Sequence, residues 1–108
     1  MAIIERTLQG DFDEILKRIQ DGVLSASVSA SLEESSDFTD GRSRCSVRIF
    51  ERYSMFGKNR VSMSVVLFQG ESGEIHISAT SSGGSQAVFM KLNTVGEENF
   101  LDTIRTFL

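Results

Sequence analysis

Residues 24–32 read Leu-Ser-Ala-Ser-Val-Ser-Ala-Ser-Leu, an unbroken alternation of apolar residue and serine. Successive side chains of a β-strand point to opposite faces. Read as a strand, this segment turns Leu24, Ala26, Val28, Ala30 and Leu32 to one side and Ser25, Ser27, Ser29 and Ser31 to the other. Such a pattern belongs to an antiparallel sheet with one buried and one wet face. It constrains architecture far more than function.

The flanking sequence fits the same plan. Residues 3–8 predict a short first strand, broken by Gly10. Asp11 stands three residues before Glu14, the spacing of a capping box. Phe12, Ile15, Leu16 and Ile19 follow at helical intervals, with Lys17, Arg18 and Asp21 on the wet side and Gly22 as the stop. Residues 34–41, Glu-Ser-Ser-Asp-Phe-Thr-Asp-Gly, have the composition of a loop. Strands are expected over 44–53, 61–68 and 75–80, with turns at 57–59, 70–73 and 81–85. Residues 86–92 suggest a sixth strand, with helix as the alternative. Thr94 and Glu97 form a second capping box ahead of a stripe of Phe100, Leu101, Ile104, Phe107 and Leu108. The sum is an α+β two-layer sandwich over residues 1–108: a mostly antiparallel sheet of five or six strands, in the order β-α-β-β-β-β-(β)-α, with two helices on one face.

A chain of 108 residues holds one domain. Its single cysteine, Cys45, excludes an internal disulfide and fits a reducing cytosol. The start, Met-Ala-Ile-Ile-Glu-Arg-Thr, lacks the basic and apolar regions of a signal peptide. No apolar run approaches the ~20 residues that span a bilayer. The expectation is a cytoplasmic protein. A net charge of −4 argues against general nucleic-acid binding. Yet Arg42, Arg44, Arg48, Arg52, Lys58 and Arg60 cluster against Glu51 alone, so residues 42–60 carry +5 and the remainder −9.

The expected strand faces put Cys45, Val47, Ile49 and Tyr53 inward with Val61, Met63, Val65 and Leu67, and with Ile75, Ile77 and Ala79. Turn positions then pair Ser29 with Arg48, Ser27 with Phe50, Phe50 with Ser64, Arg48 with Val66, Val66 with Ser78 and Phe68 with His76. The outward face centres on Arg48, Phe50, Arg52, Val66, Phe68 and His76, with serines around them. Three apolar residues clustered on an open sheet face suggest a partner or ligand surface. Three coverings follow: a loop or the sixth strand of the chain itself, a second copy of the chain, or a small anionic or amphipathic ligand held by Arg48 and Arg52 and the phenylalanines.

Catalytic constellations are not evident. His76 is the only histidine and has no second ligand at metal spacing. Cys45 is expected in the core, where burial opposes a reactive thiolate. No serine sits in Gly-x-Ser-x-Gly. Residues 80–86, Thr-Ser-Ser-Gly-Gly-Ser-Gln, could form an anion-binding nest but lack the P-loop ending. Arginines with Phe50, Tyr53 and Phe56 match a base-stacking sheet in composition only, and cross-strand pairing with Glu33, Glu34, Asp37 and Asp40 explains Arg42 and Arg44 equally well. Glu51 falls at an inward position, so it either meets Lys17 or Arg18, sits at a bend, or is desolvated. The expected function is a non-enzymatic interaction domain needing no cofactor or metal.

Several short stretches carry a likeness: Gly-Asp-Phe-Asp at 10–13, Ser-Ala-Ser-Leu-Glu at 29–33, Glu-Arg-Tyr-Ser at 51–54, Asn-Arg-Val-Ser at 59–62 and Ser-Gly-Gly-Ser-Gln-Ala-Val-Phe at 82–89. With them the chain resembles a small bacterial family known only as a domain of unknown function. The resemblance spans nearly the whole chain and implies no activity and no site residue. The order of elements is also similar to that of helix-grip ligand binders, but the chain is shorter and leaves no room for their deep cavity.

Overall fold

The computed structural model describes residues 2–54 and 59–83. Five strands and one helix follow in the order β1 (Ala2–Leu8), α1 (Phe12–Ala26), β2 (Ser31–Asp40), β3 (Ser43–Ser54), β4 (Asn59–Gln69) and β5 (Ile75–Gly83). The strands form one antiparallel sheet in the order β1-β5-β4-β3-β2. Consecutive strands from β2 to β5 are neighbours, and β1 pairs with the last. The fold is α+β, with α1 against one sheet face. Of the expected turn at 57–59, Asn59 begins β4; its first two residues, the sixth strand at 86–92 and the second helix beyond Thr94 lie outside the described residues.

The turn expected over 70–73 is present, whereas the one expected within the 34–41 loop falls at its very end, on Gly41 and Arg42. Gly41 adopts φ 61° in the two-residue link between β2 and β3, the conformation such hairpins require. Gly73 adopts φ 88°, and its N–H donates to the Gly70 carbonyl at 3.0 Å. The expected pairs Val66 with Ser78 and Phe68 with His76 are those observed. Residues 81–83, expected in a turn, continue β5, and the rest of that turn lies outside the described residues.

The serine alternation is not a strand. Helix α1 runs on to Ala26 because its apolar stripe does: Phe12, Leu16, Ile19 and Val23 are all buried, each three or four residues after the last. Gly22, expected as the stop, is buried inside the helix. Leucine and alanine favour a helix and serine tolerates one, so local preference does not resist the extension. The Ser25 hydroxyl donates to the Gly22 carbonyl at 3.2 Å, and Ser27 ends the helix in an extended conformation. Val28, expected mid-core, is fully exposed in the following turn. At the other end Asp11 takes the N-cap place by its backbone, with Ile15 N–H reaching its carbonyl at 3.0 Å, but its side chain makes no capping bond. Glu14 instead accepts from Arg18 at 3.3 Å.

The segment at 34–41 is a strand for all but its last residue. Nearly every residue of β2, the edge strand of the described sheet, is exposed. Its polar composition reflects two wet faces rather than a loop. An extra residue, Glu33, makes a bulge between Leu32 and Glu34. The faces of β3 are the reverse of those expected. Phe50 pairs with Met63 and Arg48 with Val65, so Ser46, Arg48, Phe50 and Arg52 lie on the α1 side. A slip of one residue exchanges the two faces.

The core joins α1 to that side of the sheet. Ile4, Phe50, Val61, Met63, Val65, Leu67, Ile75, Ile77 and Ala79 form one buried cluster with Phe12, Leu16, Ile19 and Val23. Each such side chain stabilises the fold by about 1.5–3 kcal/mol. Toward β2 the core turns polar, and arginines there are partnered rather than wet. Arg44 forks onto both Asp13 carboxylate oxygens, at 2.8 and 3.2 Å, and its guanidinium lies 4.1 Å from the centre of the Phe12 ring.

Candidate interaction face

Directly opposed residues of antiparallel strands share a face. The side of the sheet away from α1 can therefore be followed row by row. One row runs Thr7, His76, Phe68, Cys45, Phe38; the next Glu5, Ser78, Val66, Val47, Ser36; the third Ile3, Thr80, Ser64, Ile49, Glu34. Apolar side chains occupy the centre, hydroxyls lie between them, and carboxylates stand at the margins. Ile3 (57% exposed), Phe38 (60%), Tyr53 (43%) and Phe68 (42%) are uncovered. Among the described residues no element packs on this face.

Of the six expected surface residues, the structure brings Val66, Phe68 and His76 together. Phe68 and His76 stack with ring centres 6.3 Å apart and planes inclined by 28°. His76 Nδ1 lies 3.4 Å from the Thr7 hydroxyl, and its Nε2 lies 3.6 Å from Glu74. The other three belong to the opposite side. Phe50 is a fully buried core residue. Arg48 is buried and donates to Gln20 Oε1 at 2.6 Å, to the Val47 carbonyl at 3.0 Å and to Asp37 at 2.9 Å. Arg52 is half-buried on the same side, where desolvation lowers its pKa. An anion site built on Arg48, Arg52 and the open-face aromatics is thus not assembled.

The residues exchanged for them are Cys45, Val47, Ile49 and Tyr53, expected in the core and found on the open face, together with Phe38. Alternation in β3 could have found the first four, since Val47 and Ile49 are as apolar as a core strip. Phe38 had no signal once its segment read as loop. Glu51 also lies on the open side, where its carboxylate accepts from Arg60 at 2.9 Å. It has an ion-pair partner, though not the helix residues expected. Asp37 accepts from the Ser46 hydroxyl and from Arg48, and these bonds hold its carboxyl below the ordinary value of 3.8.

A hollow of about 440 Å³ opens between β1, β5 and β4, walled by Val66, Phe68, His76, Thr7, Ser78 and Glu5. Among the described residues there is no group of three His, Cys, Asp or Glu side chains suited to a metal ion. No helix among them is long and apolar enough to cross a membrane.

The architecture defines a small α+β protein whose five-stranded antiparallel sheet bears a helix on one side and an apolar, hydroxyl-bordered face on the other. Within that class, the sequence profile described as Family of unknown function (DUF6054) matches residues 1–108, and the chain belongs to this family. Its fold is similar to that of the hypothetical protein jhp0584 from Helicobacter pylori, a crystal structure at 1.88 Å resolution. The TM-score is 0.55 with 12% sequence identity, over 97% of this chain and 85% of that one, a likeness of fold alone. None of the curated proteins matches the chain.

Proposed function

We propose that this protein is a non-enzymatic interaction domain that self-associates through the sheet face turned away from α1. The observation carrying this reading is the run of apolar side chains from Phe38 through Val47 and Ile49 to Val66, Phe68 and Ile3 on one face of the sheet. Five strands at ~4.8 Å spacing and ~30 Å of mean length offer a footprint of roughly 700 Å². A stable association needs about 800 Å² from each partner, so the face is of the right order. The scattered hydroxyls suit a symmetric partner, because each can donate or accept.

The absence of enzymatic activity belongs to the same proposal. Cys45 and His76 stand on either side of Phe68 in one row, two strand spacings or about 10 Å apart, too far for a base to activate a thiol. In its complete form the reading is a bacterial, cytoplasmic homodimer. The two-layer sandwich with a second helix, expected from the apolar stripe beyond Thr94, belongs to the same reading.

Sedimentation tests the reading directly. A dimer is expected at tens of micromolar protein, an ordinary range for such a face. Phe68→Glu is expected to give a monomer with unchanged helical content. A monomeric wild-type chain at that concentration rejects the reading. The hollow beside His76 supports a competing occupant, a small amphipathic ligand resting on Phe68 and bonded by Thr7 and Ser78. Its mark would be retention of a ligand by a monomeric wild-type protein.

A further inference from the structure

A second surface borders that face: the outer edge of β2. Among the described residues this strand ends the sheet, and every residue from Leu32 to Asp40 is exposed. An edge strand presents a row of backbone donors and acceptors ready to pair with another chain. The usual protections are incomplete here. The edge is ten residues long, contains no proline, and carries one bulge near its start, leaving seven regular residues from Glu34 to Asp40.

The side chains along that stretch set the partner. On the open side of the sheet they alternate as Glu34, Ser36, Phe38 and Asp40. Asp37, on the other side, is already paired with Arg48. Two carboxylates therefore flank an aromatic ring that is 60% exposed. Glu33, Glu34, Asp37 and Asp40 are its charged residues, and none is basic. A second β2 would set carboxylate against carboxylate, and like charges directly opposite repel.

We propose that the β2 edge receives an extended basic peptide segment from a partner protein by strand addition. The segment pairs antiparallel with residues 34–40. It carries Lys or Arg opposite Asp40, an apolar residue two positions later opposite Phe38, and Lys or Arg six positions after the first, opposite Glu34. Backbone pairing supplies affinity, and the basic-apolar-basic spacing supplies choice. This edge adjoins the self-association face and shares Phe38 with it.

The probe is a synthetic peptide, Lys-Thr-Val-Thr-Thr-Thr-Lys, titrated into the full chain. Binding is expected to slow amide exchange in β2 and to weaken with salt. The charge-reversed peptide with Glu at both ends is expected to bind roughly tenfold more weakly. Two N-methylated versions, blocked at odd or at even residues, are expected to differ sharply, because only one set of N–H groups faces β2. The double variant Glu34→Lys, Asp40→Lys should bind roughly tenfold more weakly, the scale of two exposed ion pairs turned to repulsion. No binding at millimolar peptide overturns the proposal. So does equal binding by both methylated peptides, or protection that maps to Val66 and Phe68 instead of β2. The self-association reading is judged separately, by wild-type sedimentation without peptide.

Discussion

Arg48 shows how a single residue can mislead and then explain. Its guanidinium sits between α1 and the β2–β3 hairpin, bonded to Gln20, Asp37 and backbone carbonyls. It works as a latch between helix and edge strand. Arg48→Met keeps the apolar stem and removes the charged bonds, so it should cost about 1.5–3 kcal/mol in urea unfolding. Arg48→Lys should not restore the loss, since an ammonium cannot reproduce the fork. The carboxyl of Asp37, lowered chiefly by the Ser46 hydroxyl and then by Arg48, gives the pair a pH signature. A depressed folded-state pKa adds stability above the ordinary value near 3.8 and loses it as pH falls through the lowered value. The stability gap between wild type and Asp37→Asn should therefore be full at neutral pH and close only below the usual aspartate range. Cys45 offers a second residue-scale check. Partly exposed on the open face, it should react with a maleimide in dilute protein and be protected as concentration rises.

At the scale of elements, α1 and β2 carry the main departures from the sequence reading. Val23→Ala should cost about 1–3 kcal/mol, as expected for a side chain buried in the helix interface. Val28→Ser should cost less than ~0.5 kcal/mol, as for an ordinary surface change. A strand over 24–32 would give the opposite ranking, so two urea melts distinguish helix from strand. The start of α1, the first strand, the turns at Gly41 and Gly73 and the register of β4 on β5 were legible because each follows from a local rule. The end of α1 was not, because Ser-Ala alternation satisfies a strand pattern while costing a helix little. The faces of β3 were hidden for a different reason. Both are half apolar, and the choice rests on what α1 offers the arginines: Gln20 to Arg48, and Asp13 and Phe12 to Arg44. Parity could not be settled without knowing where the helix lies. The candidate face was legible by half, at Val66, Phe68 and His76 on β4 and β5, and it failed where it depended on β3.

For the molecule as a whole, the reversal of β3 strengthens one reading and weakens another. Moving Arg48 and Arg52 to the α1 side takes the two expected arginines away from the open face, and with them the anionic-ligand site built on that pair. Moving Val47 and Ile49 the other way extends the apolar strip from β4 across to Phe38 on the far edge. Anything that binds the folded state alone raises its apparent stability by mass action, and a dimer does so with its own concentration. If open faces meet, the thermal midpoint of the wild-type protein should climb as protein concentration rises from below to above the dissociation constant. Phe68→Glu should remove that dependence. Because Phe68 is already 42% exposed and outside the core cluster, the variant should melt near the dilute wild-type midpoint instead of far below it. Val47→Glu, one strand away on the same face, should act alike, whereas Phe50→Glu should lower the midpoint at every concentration, since it places a carboxylate in the fully buried core. A concentration-independent wild-type midpoint, or equal damage from Phe68→Glu and Phe50→Glu, would contradict the assignment of the two faces.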